Sequence, residues 1–138
     1  MSPARAYIAL GGNLGDREAN LAFAVSRLRM LPGTRLVGGS AVEETAPLND
    51  LDQPDYLNQM VAVDTDLPPR ALLDECHRIE AEAGRVRGER WASRTLDLDL
   101  VAYDDLVLDE PGLTLPHPGL RDRAFWQREL AELRRRGC

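Results

Sequence analysis

Lysine is absent from this chain: all 17 basic residues are arginine. The absence excludes a Walker-type phosphate loop, a Schiff-base enzyme and a lysine general base. Any phosphate must then be held by guanidinium groups, whose planar fork suits bidentate contacts; genome composition alone would give the same bias. Aromatic residues are scarce, at 5%, which disfavours a sheet face built to stack single-stranded nucleic acid. A net charge of −6 argues against general binding to a polyanion. The two cysteines, Cys76 and Cys138, show neither metal nor redox spacing and read as free thiols. No apolar run is long enough to span a membrane, and no signal-peptide pattern opens the chain. The expected compartment is therefore the cytoplasm, with no membrane partner.

The 138 residues suit one domain, residues 1–138, with a core of its own. Residues 6–10 form a short apolar run and read as a buried strand. A glycine-rich turn follows, and Asp16 is placed to cap a helix over about 17–31, ended by Pro32-Gly33. A strand is expected near 34–44 and another over 57–65, separated by a polar loop at 45–55 that holds Pro47 and Pro54. Pro68-Pro69 opens a helix to about residue 83, with Leu72, Leu73, Cys76 and Ile79 inward. A strand at 96–103, a turn at Asp104-Asp105, a short strand at 106–108, a proline-broken stretch at 111–118 and a helix from about residue 120 complete the chain. The order is that of an α+β protein with a ferredoxin-like β-α-β-β-α-β antiparallel sheet and C-terminal additions. Many activities use that arrangement, so it does not decide function.

One segment carries chemistry. From Leu96 onward the chain alternates strictly, with Leu96, Leu98 and Leu100 on one face and Asp97 and Asp99 on the other. Two residues of strand set those carboxylates roughly 7 Å apart along the chain and aimed the same way. They can converge on one hard cation, or on two about 4 Å apart. Alone, such a pair reads more readily as a solvated acidic edge. However, within residues 84–94, Arg85, Arg87, Arg90 and Arg94 stand against a single acid, Glu89. Anion ligands beside cation ligands indicate magnesium with a polyphosphate, a small anionic guest rather than a polymer.

Several further pieces run in order: Gly11-Gly12-Asn13-Leu14-Gly15, Thr45-Ala46-Pro47-Leu48, Gln53-Pro54-Asp55-Tyr56-Leu57-Asn58, Ile79-Glu80 and Gly84-Arg85-Val86-Arg87. They continue with Arg90-Trp91 through Asp99, then Leu115-Pro116-His117 and Arg123. Over roughly residues 6–125 the chain resembles the 6-hydroxymethyl-7,8-dihydropterin pyrophosphokinases of folate biosynthesis. The resemblance implies transfer of the terminal pyrophosphoryl group of ATP to the hydroxymethyl of a reduced pterin, with release of AMP. It implies two Mg2+ ions on Asp97 and Asp99, ATP as co-substrate, and catalytic roles for Arg85, Arg94, Asp97 and Asp99. The nucleotide side would comprise Glu80, Arg85, Arg87, Trp91, Arg94, His117 and Arg123. Thr45, Pro47, Leu48, Tyr56, Asn58, Trp91 and Phe125 would form the pterin side, with Tyr56 and Phe125 stacking on the ring and Asn58 on its polar edge. The implied protein is a monomer acting on small molecules, without nucleic acid. Ser93, Ala46 and Pro118 depart from the family's usual residues. The stretch after Phe125 lacks the family's proline, and the tail is shorter than usual. A ligand-binding module on the same fold is the other class considered, and it would have no need of Asp97 and Asp99.

Overall fold

Between Arg5 and Asp16 the chain carries no charge, and this stretch supplies most of an inner strand of the sheet, β1 (Ala4–Gly12). The structure is a computed structural model and describes residues 2–46, 54–84 and 96–138. Helix α1 (Arg17–Arg29) follows, with the Asp16 carboxylate accepting the Ala19 N–H at 3.0 Å as its N-cap. Then come β2 (Thr34–Gly39), β3 (Glu43–Thr45), β4 (Tyr56–Thr65), α2 (Pro69–Ala83) and β5 (Asp97–Tyr103). A hairpin of β6 (Leu108–Glu110) and β7 (Leu113–Leu115), a 3-10 turn at Pro118–Arg121 and α3 (Ala124–Arg135) close the chain.

The protein is mixed α and β. Its main sheet runs β2-β4-β1-β5 with every neighbouring pair antiparallel, and β3 pairs with β4. Alternation along β1 splits the core in two. Ala6, Ile8 and Leu10 face α1 and α2, packing with Leu28, Leu72, Cys76, Leu98 and Leu100. Tyr7 and Ala9 face the other way and pack with Met60, Ala62, Trp126, Leu130 and Leu133. Hence α3 covers the opposite face of the sheet, and the molecule has three layers.

Two expectations from sequence need correction. The strand expected over 34–44 is broken into β2 and β3. Gly39 pairs with Val61 and Glu43 with Asn58, so three residues (40–42) stand opposite two (59–60). The extra residue interrupts the ladder, and the Ser40 hydroxyl takes over one rung by accepting the Met60 N–H at 2.9 Å. The short strand expected at 106–108 begins instead at Leu108. Leu106 and Val107 are exposed because the hairpin centres on Pro111-Gly112, where Gly112 has φ +76°. Pro followed by a positive-φ Gly is the type II turn pattern, and it sets which residues face each other across the hairpin.

One buried residue of α3 breaks the apolar rule. Glu129 is 2% exposed, and no hydrogen-bond donor among the described residues reaches either of its carboxylate oxygens. Burial first, then the neighbouring Glu43 carboxyl, pushes its pKa up to about 9. Glu129 therefore keeps its proton in the folded protein at neutral pH. In the unfolded chain the same group titrates near 4.5. The folded state binds a proton that the unfolded state has released, so the contribution of Glu129 to stability falls as pH rises from about 4.5 to about 9 and is level outside that window. The slope contributed by one such group is at most about 1.4 kcal/mol per pH unit. Glu129→Gln should flatten the pH dependence of the urea midpoint across this window. Parallel curves for the two proteins would show that Glu129 does not hold a proton in the fold.

Candidate active site

Strand register assembles the site. Asp97 pairs with Gly11, Gly11 pairs with Asn58, and Asn58 pairs with Glu43, so these four residues form one row across four strands. The next row along is Asp99, Ala9 and Met60. Both rows face α3, because Leu98 and Leu10 between them, and Leu57 beside Asn58, point into the opposite core. At roughly 4.8 Å per strand, Asp97 and Asn58 are about 10 Å apart at their backbones. A bound molecule can therefore bridge from the acidic pair to the amide across Gly11. That residue has to be small: a Cβ on Gly11 would lie 2.9 Å from the Asn58 Oδ1.

Cationic and donor groups close over Asp99. A bulge in β5 leaves Val101 between the pairs Tyr7–Ala102 and Ile8–Leu100. The Val101 carbonyl accepts the His117 backbone N–H at 2.8 Å and so anchors the segment that follows β7. The Gly119 N–H donates to His117 Nδ1 at 2.9 Å. In the neutral ring the proton then sits on Nε2, which is 3.7 Å from Asp99 Oδ1. Burial lowers the His117 pKa from its ordinary value; Asp99 opposes that and Arg123 adds to it. Arg123 Nη1 lies 4.0 Å from Asp99 Oδ2, and its guanidinium rests 4.3 Å above the Trp126 ring. The His117 ring meets Trp126 edge-on at 4.9 Å. One buried indole thus holds both the imidazole and the guanidinium beside Asp99.

On the other side of Gly11, the Asn58 amide donates to the Thr45 hydroxyl at 2.6 Å. Its orientation is thereby fixed, with Oδ1 turned toward Gly11. Tyr56 lies two residues before Asn58 on the same face of β4 and pairs with Thr45. Asn13 of the glycine-rich turn donates to the Pro54 carbonyl at 3.0 Å, and Arg17 donates to the Asp55 carbonyl at 3.0 Å. These contacts fix the approach to Tyr56. Phe125, half-buried at the start of α3, sits 6.5 Å from Trp126.

Asp97, Asp99, His117 and Arg123 therefore come together, as do Thr45, Tyr56 and Asn58. Glu80 is placed differently: it accepts the Leu98 N–H at 2.7 Å and ties α2 to β5 between the two aspartates. Pro47, Leu48, Arg85, Arg87, Trp91 and Arg94 lie outside the described residues. Sequence reasoning missed the roles of Gly11, Asn13, Gly119 and Trp126. For Trp126 a signal was available, since it stands three residues after Arg123 at a helix start, where i and i+3 share a face.

Gly119 permits the close approach above. A Cβ there would lie 3.1 Å from His117 Nδ1 and 3.2 Å from both Arg123 Cζ and Nε. Gly119→Ala should fold at a cost of no more than about 1 kcal/mol, because the flexible Arg123 side chain can give way. It should shift the NMR resonances of the His117 ring and the Trp126 indole. Unchanged resonances at both rings would show that the glycine is not required for this packing.

Residues 7–135 match the family described as 7,8-dihydro-6-hydroxymethylpterin-pyrophosphokinase. The chain is 47% identical over 129 residues to the 2-amino-4-hydroxy-6-hydroxymethyldihydropteridine pyrophosphokinase of Methylorubrum extorquens, covering 94% of this chain and 82% of that protein. It is 44% identical over 120 residues to the enzyme of that name from Haemophilus influenzae, covering 87% of this chain and 75% of that one. To the folic acid synthesis protein fol1 of Schizosaccharomyces pombe it is 38% identical over 128 residues, which are 93% of this chain but only 18% of that protein. With a match of this extent, and with the acidic pair and its cationic neighbours on one sheet face, the chain belongs to the 7,8-dihydro-6-hydroxymethylpterin-pyrophosphokinase family.

Proposed function

We infer that this chain transfers the terminal pyrophosphoryl group of ATP to the hydroxymethyl group of 6-hydroxymethyl-7,8-dihydropterin, releasing AMP, as a step of folate biosynthesis. The activity and the use of ATP as co-substrate follow from family membership. The observation that carries the placement of the active centre is the pairing of Asp97 and Asp99 on one face with His117 Nε2 and Arg123 beside them.

The donor set fits Mg2+. This ion prefers oxygen ligands and is commonly bound through one or two carboxylates together with substrate phosphates and water. Asp97 and Asp99 are half-exposed and share a face, and among the described residues no group of three or more acid, histidine or cysteine side chains is arranged to hold a metal by itself. The phosphates of ATP would complete such a site. We assign two Mg2+ ions to these carboxylates, where the metal would neutralise charge developing along the triphosphate.

The residues of the chain do the rest by alignment and electrostatics. Arg123 is held on Trp126 and His117 is fixed in its Nε2–H tautomer, so both present donors on the Asp99 side for phosphate oxygens. Arg85, Arg87 and Arg94 are assigned to the phosphates and Trp91 to the border of both ligands, on the strength of the motif they occupy. Glu80 supports the nucleotide side through the strand it holds. Asn58, oriented by Thr45, meets the polar edge of the pterin; Tyr56 and Phe125 flank its ring, with Pro47 and Leu48 at the border. The hydroxymethyl oxygen attacks the β-phosphorus and the bond to the α–β bridging oxygen breaks. No covalent nucleophile is needed. Burial pushes the Cys76 thiol up to about 12, which leaves it unreactive.

The sheet order β2-β4-β1-β5, with α1 and α2 together on one face, supports the ferredoxin-like arrangement. We also assign a single domain that acts as a monomer on small molecules in the cytoplasm; the net charge of −6 supports only the absence of nucleic acid from this reading. No helix among the described residues is long and apolar enough to cross a membrane.

Incubation with Mg-ATP and hydroxymethyl-dihydropterin should yield AMP and the pterin pyrophosphate in equal amounts. ADP as the product would refute the reading. Asp97→Asn and Asp99→Asn should each lower turnover by on the order of a hundredfold, and near-normal rates in both at saturating Mg-ATP would remove the metal assignment. Asn58→Ala should weaken pterin binding by roughly 1–3 kcal/mol while nucleotide affinity holds; calorimetry showing equal losses for the two ligands would mean general damage to the fold.

A further inference from the structure

The buried Glu129 has no place in the chemistry above, yet its surroundings join it to the pterin side. It stands four residues after Phe125, one turn along the same face of α3. Its neighbour Glu43 belongs to β3, pairs in register with Asn58, and lies two residues before the Thr45 that orients the Asn58 amide. The next residue of β3, Glu44, points to the opposite face and bridges to Arg17 at 2.8 Å. Strand alternation therefore turns Glu43, and not Glu44, into the cavity that Glu129 also lines.

The charged groups around Glu129 are few and accounted for. From β3 only Glu43 faces it. On α3, Arg128 bonds Glu43 Oε1 at 2.7 Å. Glu132 accepts the Ala41 N–H at 3.1 Å and Arg136 Nη1 at 2.9 Å, and Arg135 lines the same surface cavity. β4 presents Asn58 and Met60 there, and residues 40–42 carry no charge. Asp97 is three strands from Glu43, roughly 15 Å by strand spacing. Two carboxyls in contact do not both ionise. Arg128 favours the charged form of Glu43, and Glu43 and the buried Glu129 line one cavity, so the proton is assigned to Glu129, with Glu43 as the neighbouring carboxylate.

We propose that Glu129 is a positioning residue for the pterin: bonded to Glu43, it ties the helix that carries Phe125 to the strand that carries Thr45, and so holds Phe125 and Asn58 in their mutual places. This rests on the assignment of Asn58 and Phe125 to the pterin given above. Loss of the proton would set two negative charges against each other and push α3 away from β3. The ATP side, anchored through His117, Arg123 and the β5 bulge, would be spared.

The test is steady-state kinetics of the full chain with Mg-ATP and hydroxymethyl-dihydropterin from neutral to alkaline pH, for wild type, Glu129→Gln, Glu129→Leu and Asn58→Ala. In the wild type, KM for the pterin should rise by on the order of tenfold as pH passes about 9 while KM for ATP holds. Glu129→Gln donates to Glu43 without titrating, so it should keep a low pterin KM and lose this alkaline limb. Glu129→Leu cannot donate and should raise the pterin KM severalfold at neutral pH, with a thermal melt no lower than wild type. An alkaline limb that persists in Glu129→Gln overturns the proposal, even if Glu129→Leu fails to fold. A normal pterin KM in Glu129→Leu overturns it as well. If Asn58→Ala also binds pterin normally, the assignment of the pterin side itself has failed. If Asn58→Ala loses pterin and the Glu129 variants do not, only the positioning role has failed.

Discussion

Gly11 stands between Asp97 on one neighbouring strand and Asn58 on the other, and the site depends on that row staying in register. A slip of one residue would turn both polar side chains into the apolar core beneath α1 and α2. Such a slip is opposed by the whole length of β1, because Ala6, Ile8 and Leu10 must remain in that core while Tyr7 and Ala9 remain against α3. The packing that makes the sheet stable is thus also what aims the chemistry. Glycine at the centre of the row keeps it open: a side chain there would collide with Asn58 and fill the space that a ligand must cross. The position costs some β propensity, since glycine loses more chain entropy in a strand than other residues. Pairing on both sides, to Asn58 and to Asp97, offsets that cost.

Irregularities in the sheet serve the same end. The β5 bulge at Val101 frees a carbonyl on the edge strand, and His117 docks on it. This backbone bond, together with the packing of His117 on Trp126, fixes the distance of the segment after β7 from Asp99. The extra residue at 40–42 ends β2 and lets β3 pair afresh with the start of β4. This brings Thr45 and Glu43 onto the α3 face, alongside Tyr56 and Asn58. In both places a local break in the ladder re-aims side chains at the edge of the site, as bulges commonly do.

Much of this was legible in the sequence, and the parts that were not share a cause. Helices α1 and α2 announced themselves through the Asp16 cap and the Pro68-Pro69 start, which act over neighbouring residues. The alternation of 96–100 gave the aspartates their common face because a strand's period is a local property. The split of the 34–44 segment was hidden, since it depends on which residue of β4 sits opposite, whereas the shifted hairpin strand had a local signal in Pro111-Gly112 that went unused. Trp126 looked like part of a divergent tail; only tertiary packing reveals it as the platform for Arg123 and His117. Glu129 was hidden most deeply. An acid flanked by Arg128 and Glu132 on a helix reads as solvent-facing, and nothing in its sequence neighbourhood discloses a second carboxyl from 86 residues earlier. Family resemblance, carried by the motifs around Asp97 and His117, supplied the reaction; the geometry supplied the reason that those side chains meet.

The two faces of the sheet consequently do different work. Under α1 and α2 the face is largely apolar, with Leu21, Leu28, Leu72, Cys76 and Ile79 filling it and Gln59 at a cavity beside α1. Beneath α3 only part of the face is core. Trp126, Leu130 and Leu133 pack on Tyr7, Met60 and Ala62, while the row from Asp97 to Glu43 lies toward one end and stays polar. A single helix of 12 residues is therefore both the lid of the second core and one wall of the site. Any change in how α3 lies on the sheet must move Phe125 and Trp126 together, and with Trp126 the guanidinium and imidazole stacked on it. The contact between Glu129 and Glu43 sits where that helix meets the short strand β3, the part of the sheet with the fewest ladder bonds to hold it. Unlike the bonds from Arg128 to Glu43 and from Ala41 to Glu132, which need ionised carboxylates, the proposed tie between Glu129 and Glu43 needs a carboxyl that keeps its proton.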